Sequence, residues 1–76
     1  MKYDWSKVPD DVESIATDAN GRVRGFCSHS PSPTFNKKAP ECGEWSSNYC
    51  YYVLKNQKPF KGDWKDSLEL KNHKPN

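Results

Sequence analysis

The sequence predicts a small α+β or mainly-β domain built on a three- or four-stranded antiparallel sheet. Three stretches predict it. Asp18-Ala19-Asn20-Gly21 lies between two short β-prone runs and has a mechanism for reversing the chain. Arg22-Val23-Arg24 alternates polar and apolar side chains, as a half-buried strand does. Tyr49-Cys50-Tyr51-Tyr52-Val53-Leu54 is the strongest strand signal of all.

The first two stretches form one unit, spanning Ile15 to Ser28. Asp18 is placed to bond the backbone two residues on, Asn20 tolerates the left-handed region, and Gly21 takes positive φ without steric cost. A type I turn closing with Gly21 in a G1 bulge is the expected hairpin. Strands are expected near 13–18 and 21–28, with Val23 inward and Arg22 and Arg24 outward. Gly25 breaks the alternation before Phe26, which marks a bulge or a close backbone approach.

Before the hairpin, residues 1–8 read as an irregular lead-in that runs on into a turn at Asp10-Asp11. Pro9 biases Val8 towards extended geometry. Tyr3 and Trp5 share one side of an extended segment and are set to lay both rings on a core. After the hairpin comes a long irregular loop from Ser30 to Ser47. Pro31, Pro33 and Pro40 rule out a central strand there, and Lys37-Lys38 reads as an exposed tip. A short strand is expected near 43–46. The strand at 49–55 is apolar on both faces and is therefore expected at the centre of the sheet. Gly62 to Leu70 suits either a short C-terminal helix, with Asp63 as N-cap and Trp64 with Leu68 as an i,i+4 pair, or an extended strap. Residues 72–76 should fray.

Seventy-six residues make a single domain, 1–76, with a core too small to be comfortable. The aliphatic supply is limited to Val8, Val12, Ile15, Val23, Val53, Leu54, Leu68 and Leu70. The three tryptophans, four tyrosines and three phenylalanines must therefore supply much of the burial. A net charge of +2, from interspersed acids and bases, selects neither nucleic acid nor an anionic membrane. The basic bias comes late, where Lys55, Lys58, Lys61, Lys65, Lys71 and Lys74 outnumber Asp63, Asp66 and Glu69. The start has no apolar h-region, and no run approaches the ~20 apolar residues of a membrane span. These features point to a cytosolic protein without membrane partners. There, three cysteines fit reduced thiols better than a disulfide framework.

Cys27, His29, Cys42 and Cys50 are the one set suited to a transition metal such as zinc, but they lack the paired knuckle of structural zinc sites. The bland reading places Cys27 and Cys50 on neighbouring strands as small hydrophobes, with His29 in solvent. A Cys27–Cys50 or Cys42–Cys50 disulfide requires an oxidising compartment. A calcium loop at Asp18 to Gly21 fails, because Ala16 and Cys27 would occupy its first and twelfth positions. Catalysis finds little support: nothing orients a Cys–His pair, and no phosphate loop is present. The chain therefore reads as a non-enzyme. Two binding classes remain. Tyr49, Tyr51, Tyr52 and Phe26 with Arg22, Arg24, Lys37 and Lys38 suit a small nucleic-acid-binding module, zinc-stabilised or not. Alternatively, Arg22, Arg24, Lys37, Lys38 and Tyr52 contact a protein.

The segments Asp4-Trp5-Ser6-Lys7-Val8-Pro9, Ile15 to Val23 and Gly62-Asp63-Trp64-Lys65-Asp66-Ser67-Leu68-Glu69 together resemble small tailed-bacteriophage accessory proteins, which are early or host-interaction products. The resemblance covers both ends and departs in the Ser30 to Asn48 loop and the cysteines. It implies a phage origin and action in the host bacterial cytoplasm, and it transfers no catalytic residue. It favours a protein that binds and inhibits or redirects a bacterial host or defence protein.

Overall fold

The computed structural model describes residues 2–36 and 39–71. The Lys37-Lys38 tip and the 72–76 tail lie outside the described residues. The chain is mainly β, and its only helices among the described residues are two 3-10 turns, Trp5–Lys7 and Trp64–Asp66. Strands β1 (Ser14–Thr17), β2 (Val23–Phe26), β5 (Tyr51–Val53) and β6 (Glu69–Leu70) form one antiparallel sheet in the order β5-β2-β1-β6. Strands β3 (Ser32–Asn36) and β4 (Ala39–Ser46) form a separate two-stranded sheet.

The β1–β2 hairpin closes as its sequence dictates. The Gly21 amide donates to the Asp18 carbonyl at 2.9 Å, and the Asp18 amide donates to the Arg22 carbonyl at 2.9 Å. Gly21 takes a φ of 91°, the one positive value among the described residues. This is the type I turn with a G1 bulge. The side chain that bonds two residues on is Asn20, whose Oδ1 accepts the Arg22 amide at 3.0 Å. The Asp18 carboxylate is directed elsewhere.

Gly25 makes no bulge, since the β1–β2 register runs unbroken from Ser14↔Phe26 to Thr17↔Val23. It marks a close approach. A Cβ there would stand 3.0 Å from Val12 Cγ1 and 3.2 Å from Leu54 Cδ1.

The sheet is covered on both faces. On one, Tyr3, Val12, Ile15, Val23 and Leu54 form a buried cluster flanked by Trp5, Val8 and Phe60. On the other, Ala16, Phe26 and Trp45 pack with Trp64 and Leu68. All four residues of β1 are consequently buried. Its polar groups are satisfied: Ser14 Oγ donates to the Ser28 carbonyl at 2.6 Å, and Thr17 Oγ1 lies 2.6 Å from the Tyr3 hydroxyl. The Thr17 amide donates to Ser67 Oγ at 2.8 Å, tying the C-terminal segment to the sheet.

Tyr3 and Trp5 both reach the core as expected, Trp5 from a 3-10 turn capped by the Asp4 side chain and Tyr3 from just before that cap. Gln57 clamps this lead-in by accepting from the Asp4 amide and donating to the Asp4 carbonyl. The C-terminal segment takes the strap alternative, preceded by a single 3-10 turn in place of the short helix. Asp63 caps the 3-10 turn, and Glu69–Leu70 then pairs with β1 as a short strap.

Two expectations are corrected. The tyrosine-rich strand is an edge, not the centre: among the described residues, β5 has β2 on one side and no strand on the other. Arg24 is not outward. It is 4% exposed and donates to Asp18 Oδ1 at 2.9 Å, with Asp18 itself only 2% exposed. Buried guanidinium and buried carboxylate neutralise each other, so a strand that reads as half-polar sits in the interior. The proline-bearing loop contains β3, which the sequence reading omits. Its prolines are tolerated because a two-stranded ribbon consists only of edges. The expected strand at 43–46 is the end of the longer β4.

Removing one partner of a buried ion pair strands the other charge, at a cost of about 3–5 kcal/mol. A domain of this size is stable by roughly 4–11 kcal/mol in all. Asp18→Ala should therefore lose a large part of the folding free energy in urea titration. Gly25→Ala should cost about 1–3 kcal/mol through overpacking against Val12 and Leu54. A Gly25→Ala variant as stable as the parent would mean that this contact relaxes freely.

Candidate functional site

The candidate site is the β5 edge of the four-stranded sheet. Leu54 donates its amide to the Val23 carbonyl at 2.9 Å, and Cys27 donates its amide to the Cys50 carbonyl at 3.2 Å. In an antiparallel ladder the hydrogen-bonded pairs alternate, so Tyr52 also faces β2 while the backbone groups of Tyr51 and Val53 point outward. The side chains along this edge are large and exposed: Tyr49 at 64%, Tyr51 at 50%, Tyr52 at 38% and Val53 at 46%. Single exposed apolar residues are ordinary, but four in one stretch along an unpaired edge are not.

The edge is organised by the buried ion pair behind it. The Arg24 guanidinium donates to Asp18 and also to the Trp45 carbonyl. Its central carbon stands 5.0 Å from the Phe26 ring centre and 4.8 Å from that of Tyr51. Buried Arg24 Nε finds no hydrogen-bond partner among the described residues. The aromatic faces offer it partial compensation through the cation–π attraction. Tyr51 is thus exposed at its rim while its ring rests against a fixed cation. Tyr52, on the opposite face, donates its hydroxyl to Asp11 Oδ2 at 2.8 Å. That bond pushes the Tyr52 phenol above its ordinary range.

Asp11 also borders the cysteines. Cys27 and Cys50 bring their sulfurs within 2.6 Å, and Asp11 Oδ2 lies 3.9 Å from Cys27 Sγ. The thiol hydrogen bond with Cys50 pushes Cys27 up to about 11, assisted by burial and by the Asp11 carboxylate. Asp11, Cys27 and Cys50 offer three donor atoms within 4.8 Å of one another, the one such group among the described residues. His29 and Cys42 do not join it, so the four-ligand set of the alternative zinc reading is not assembled. His29 Nε2 lies 3.7 Å from Glu13. Cys42 is exposed and lines a separate groove with Asp18, Asn20, Arg22, Gly43 and Glu44.

Of the residues expected to contact a partner, Arg22 and Tyr52 remain accessible, while Arg24 is withdrawn into the core. Arg22 bridges Asp18 at 3.0 Å and Glu44 at 3.7 Å. Lys37 and Lys38 lie outside the described residues. Sequence reasoning missed Asp11 and the ion-pairing role of Asp18, both of which read as turn residues. No local signal distinguishes a turn aspartate from one that reaches across the fold. A further groove is an open depression lined by Lys2, Tyr3, Asp4, Lys7, Asn56, Gln57 and Lys58. It holds no histidine, cysteine or serine to act as a nucleophile or base.

Compared with protein-family models, curated proteins and solved structures, the chain matches none. The likeness of its ends to phage accessory proteins therefore stands on those short segments alone. Among the described residues, no helix is long and apolar enough to cross a membrane.

The Cys27 shift carries a pH dependence. A thiol raised from 9.0 to about 11 stabilises the fold fully below pH 9, and that contribution is lost as pH rises towards 11. Reduced protein should therefore destabilise across this window, and Cys27→Ser should flatten the part due to this thiol. Equal slopes for parent and variant in urea titrations would show that Cys27 titrates alike in the folded and unfolded chains.

Proposed function

We propose that this chain is a non-catalytic binding module that presents the β5 edge to a segment of another protein, which it inhibits or redirects. The observation that carries the reading is the unpaired edge of β5, with the Tyr51 and Val53 backbones facing outward amid exposed aromatic side chains. An extended segment of a partner can add to such an edge, with main-chain hydrogen bonds giving affinity and flanking side-chain pockets giving specificity. Tyrosine suits this position because it supplies a large contact area with few torsions to immobilise. Holding Tyr51 against the buried Arg24 lowers the ordering cost further. The resemblance of both chain ends to phage accessory proteins supports a bacterial host or defence protein as the partner, met in the host cytoplasm.

The test is a pull-down from nuclease-treated bacterial lysate with Val53→Pro and Val53→Thr variants run beside the parent. Proline removes the outward amide and leaves the ladder to β2 in place, whereas threonine keeps that amide. One stoichiometric partner retained by Val53→Thr and lost by Val53→Pro, with both variants folded by circular dichroism, is the expected result. A partner held equally by both would place binding away from the edge. Recovery of no protein partner, with oligonucleotide retained in a salt-dependent way when the nuclease is omitted, would replace this reading with a nucleic-acid module.

A further inference from the structure

We propose that Cys27 and Cys50 are a reversible disulfide pair, an oxidation site that joins the end of β2 to the start of β5. Four observations converge on it. The β2–β5 register, which pairs Phe26 with Tyr51, continues by one step to set Cys27 directly opposite Cys50. The Cys27 amide donates to the Cys50 carbonyl at 3.2 Å, making this a hydrogen-bonded pair. Such pairs have Cα atoms about 5.5 Å apart, within the span a disulfide bridges. Both side chains also turn the same way, with their sulfurs 2.6 Å apart. Finally, Cys27 is half-buried and Cys50 exposed, so a soluble oxidant reaches the pair.

The same geometry favours a bond over a shared metal. Two thiolates on one tetrahedral zinc, each about 2.3 Å from the ion, stand ~3.8 Å from each other. Cys27 and Cys50 are closer than that, so chelation requires them to separate while bonding requires only a small approach. Asp11, the third donor, lies on the Cys27 side at 3.9 Å. Cys42 takes no part, being in the groove beside Arg22 and Glu44.

The oxidant is a small-molecule disulfide, such as oxidised glutathione. The more exposed Cys50 attacks it as thiolate, forming a mixed disulfide and releasing one small thiolate. Cys27 then attacks the Cys50 sulfur as thiolate, closing the protein disulfide and releasing the second small thiolate. The protons of the two protein thiols end on the two small thiols released. One protein dithiol is oxidised by two electrons and one small disulfide is reduced. The bond closes a loop containing the whole β3–β4 ribbon, and shortening the accessible unfolded ensemble stabilises the fold.

The test equilibrates full-length Cys42→Ser chain with glutathione buffers of graded redox ratio, followed by acid quench and mass spectrometry. The expected product is a monomer lighter by the mass of two hydrogens, without an adduct, reversed by dithiothreitol and melting at a higher temperature. With Cys27→Ser added, one glutathione should accumulate on Cys50, because the resolving thiol is gone. Stable adducts on both cysteines, or disulfide-linked dimers as the main product, would overturn the proposal. So would a tight one-to-one zinc complex of the reduced chain that blocks oxidation, which would make the pair a metal site.

Discussion

Asp18 and Arg24, buried together at the head of the β1–β2 hairpin, form the interaction on which the rest of the structure depends. The Asp18 carboxylate receives Arg24, the Arg22 Nε and the Trp45 amide. Arg24 in turn donates to the Trp45 carbonyl. Both backbone groups of one β4 residue are thus held by side chains of the β1–β2 hairpin. The Ala19 amide adds a bond to the Gly43 carbonyl at 3.0 Å. Desolvating two charges is costly, and only a geometry that satisfies nearly all their donors and acceptors offsets it. That requirement sets how the ribbon docks on the sheet. It also brings Trp45 over β1, where its indole donates to the Thr17 carbonyl and its ring meets Trp64 edge-on.

A core made this way economises on aliphatic side chains. Val12, Ile15, Val23 and Leu54 fill one face, but the other depends on Phe26, Trp45, Trp64 and a neutralised arginine. The polar contacts at Thr17, Ser14 and Ser67 are buried and directional, and a segment shifted by one residue would leave them unmet. In so short a chain this specificity compensates for modest apolar burial.

The two strands that flank each other, β2 and β5, exchange the roles their sequences suggest. Arg22-Val23-Arg24 looks half-polar, yet from Val23 onward the strand lies inside. Tyr51-Tyr52-Val53 looks fully buried and lies at the open edge. Local pattern measures the polarity of a strand, whereas position depends on which remote groups arrive to neutralise or cover it. Asp18 arrives for Arg24; among the described residues, no strand arrives for the far side of β5. A similar distance separates the cysteine spacing from the site. Cys27 and Cys50 are brought opposite each other by strand register, and Asp11 joins them by way of a turn that reads as mere punctuation.

By itself the sequence determined the elements with local causes. The G1 hairpin follows from Asn20 and Gly21, the close approach at Gly25 from its missing side chain, and the Asp63 cap from its hydrogen-bonding reach. The mainly-β class follows from the spacing of short strand-forming runs among turns. Tertiary structure alone decided the strand order, the burial of Arg24, the exposure of the tyrosine edge and the meeting of Asp11, Cys27 and Cys50. Each of these rests on contacts between residues far apart in the chain. The energy of such a contact depends on desolvation and on the partner's charge, neither of which is written in the residues on either side.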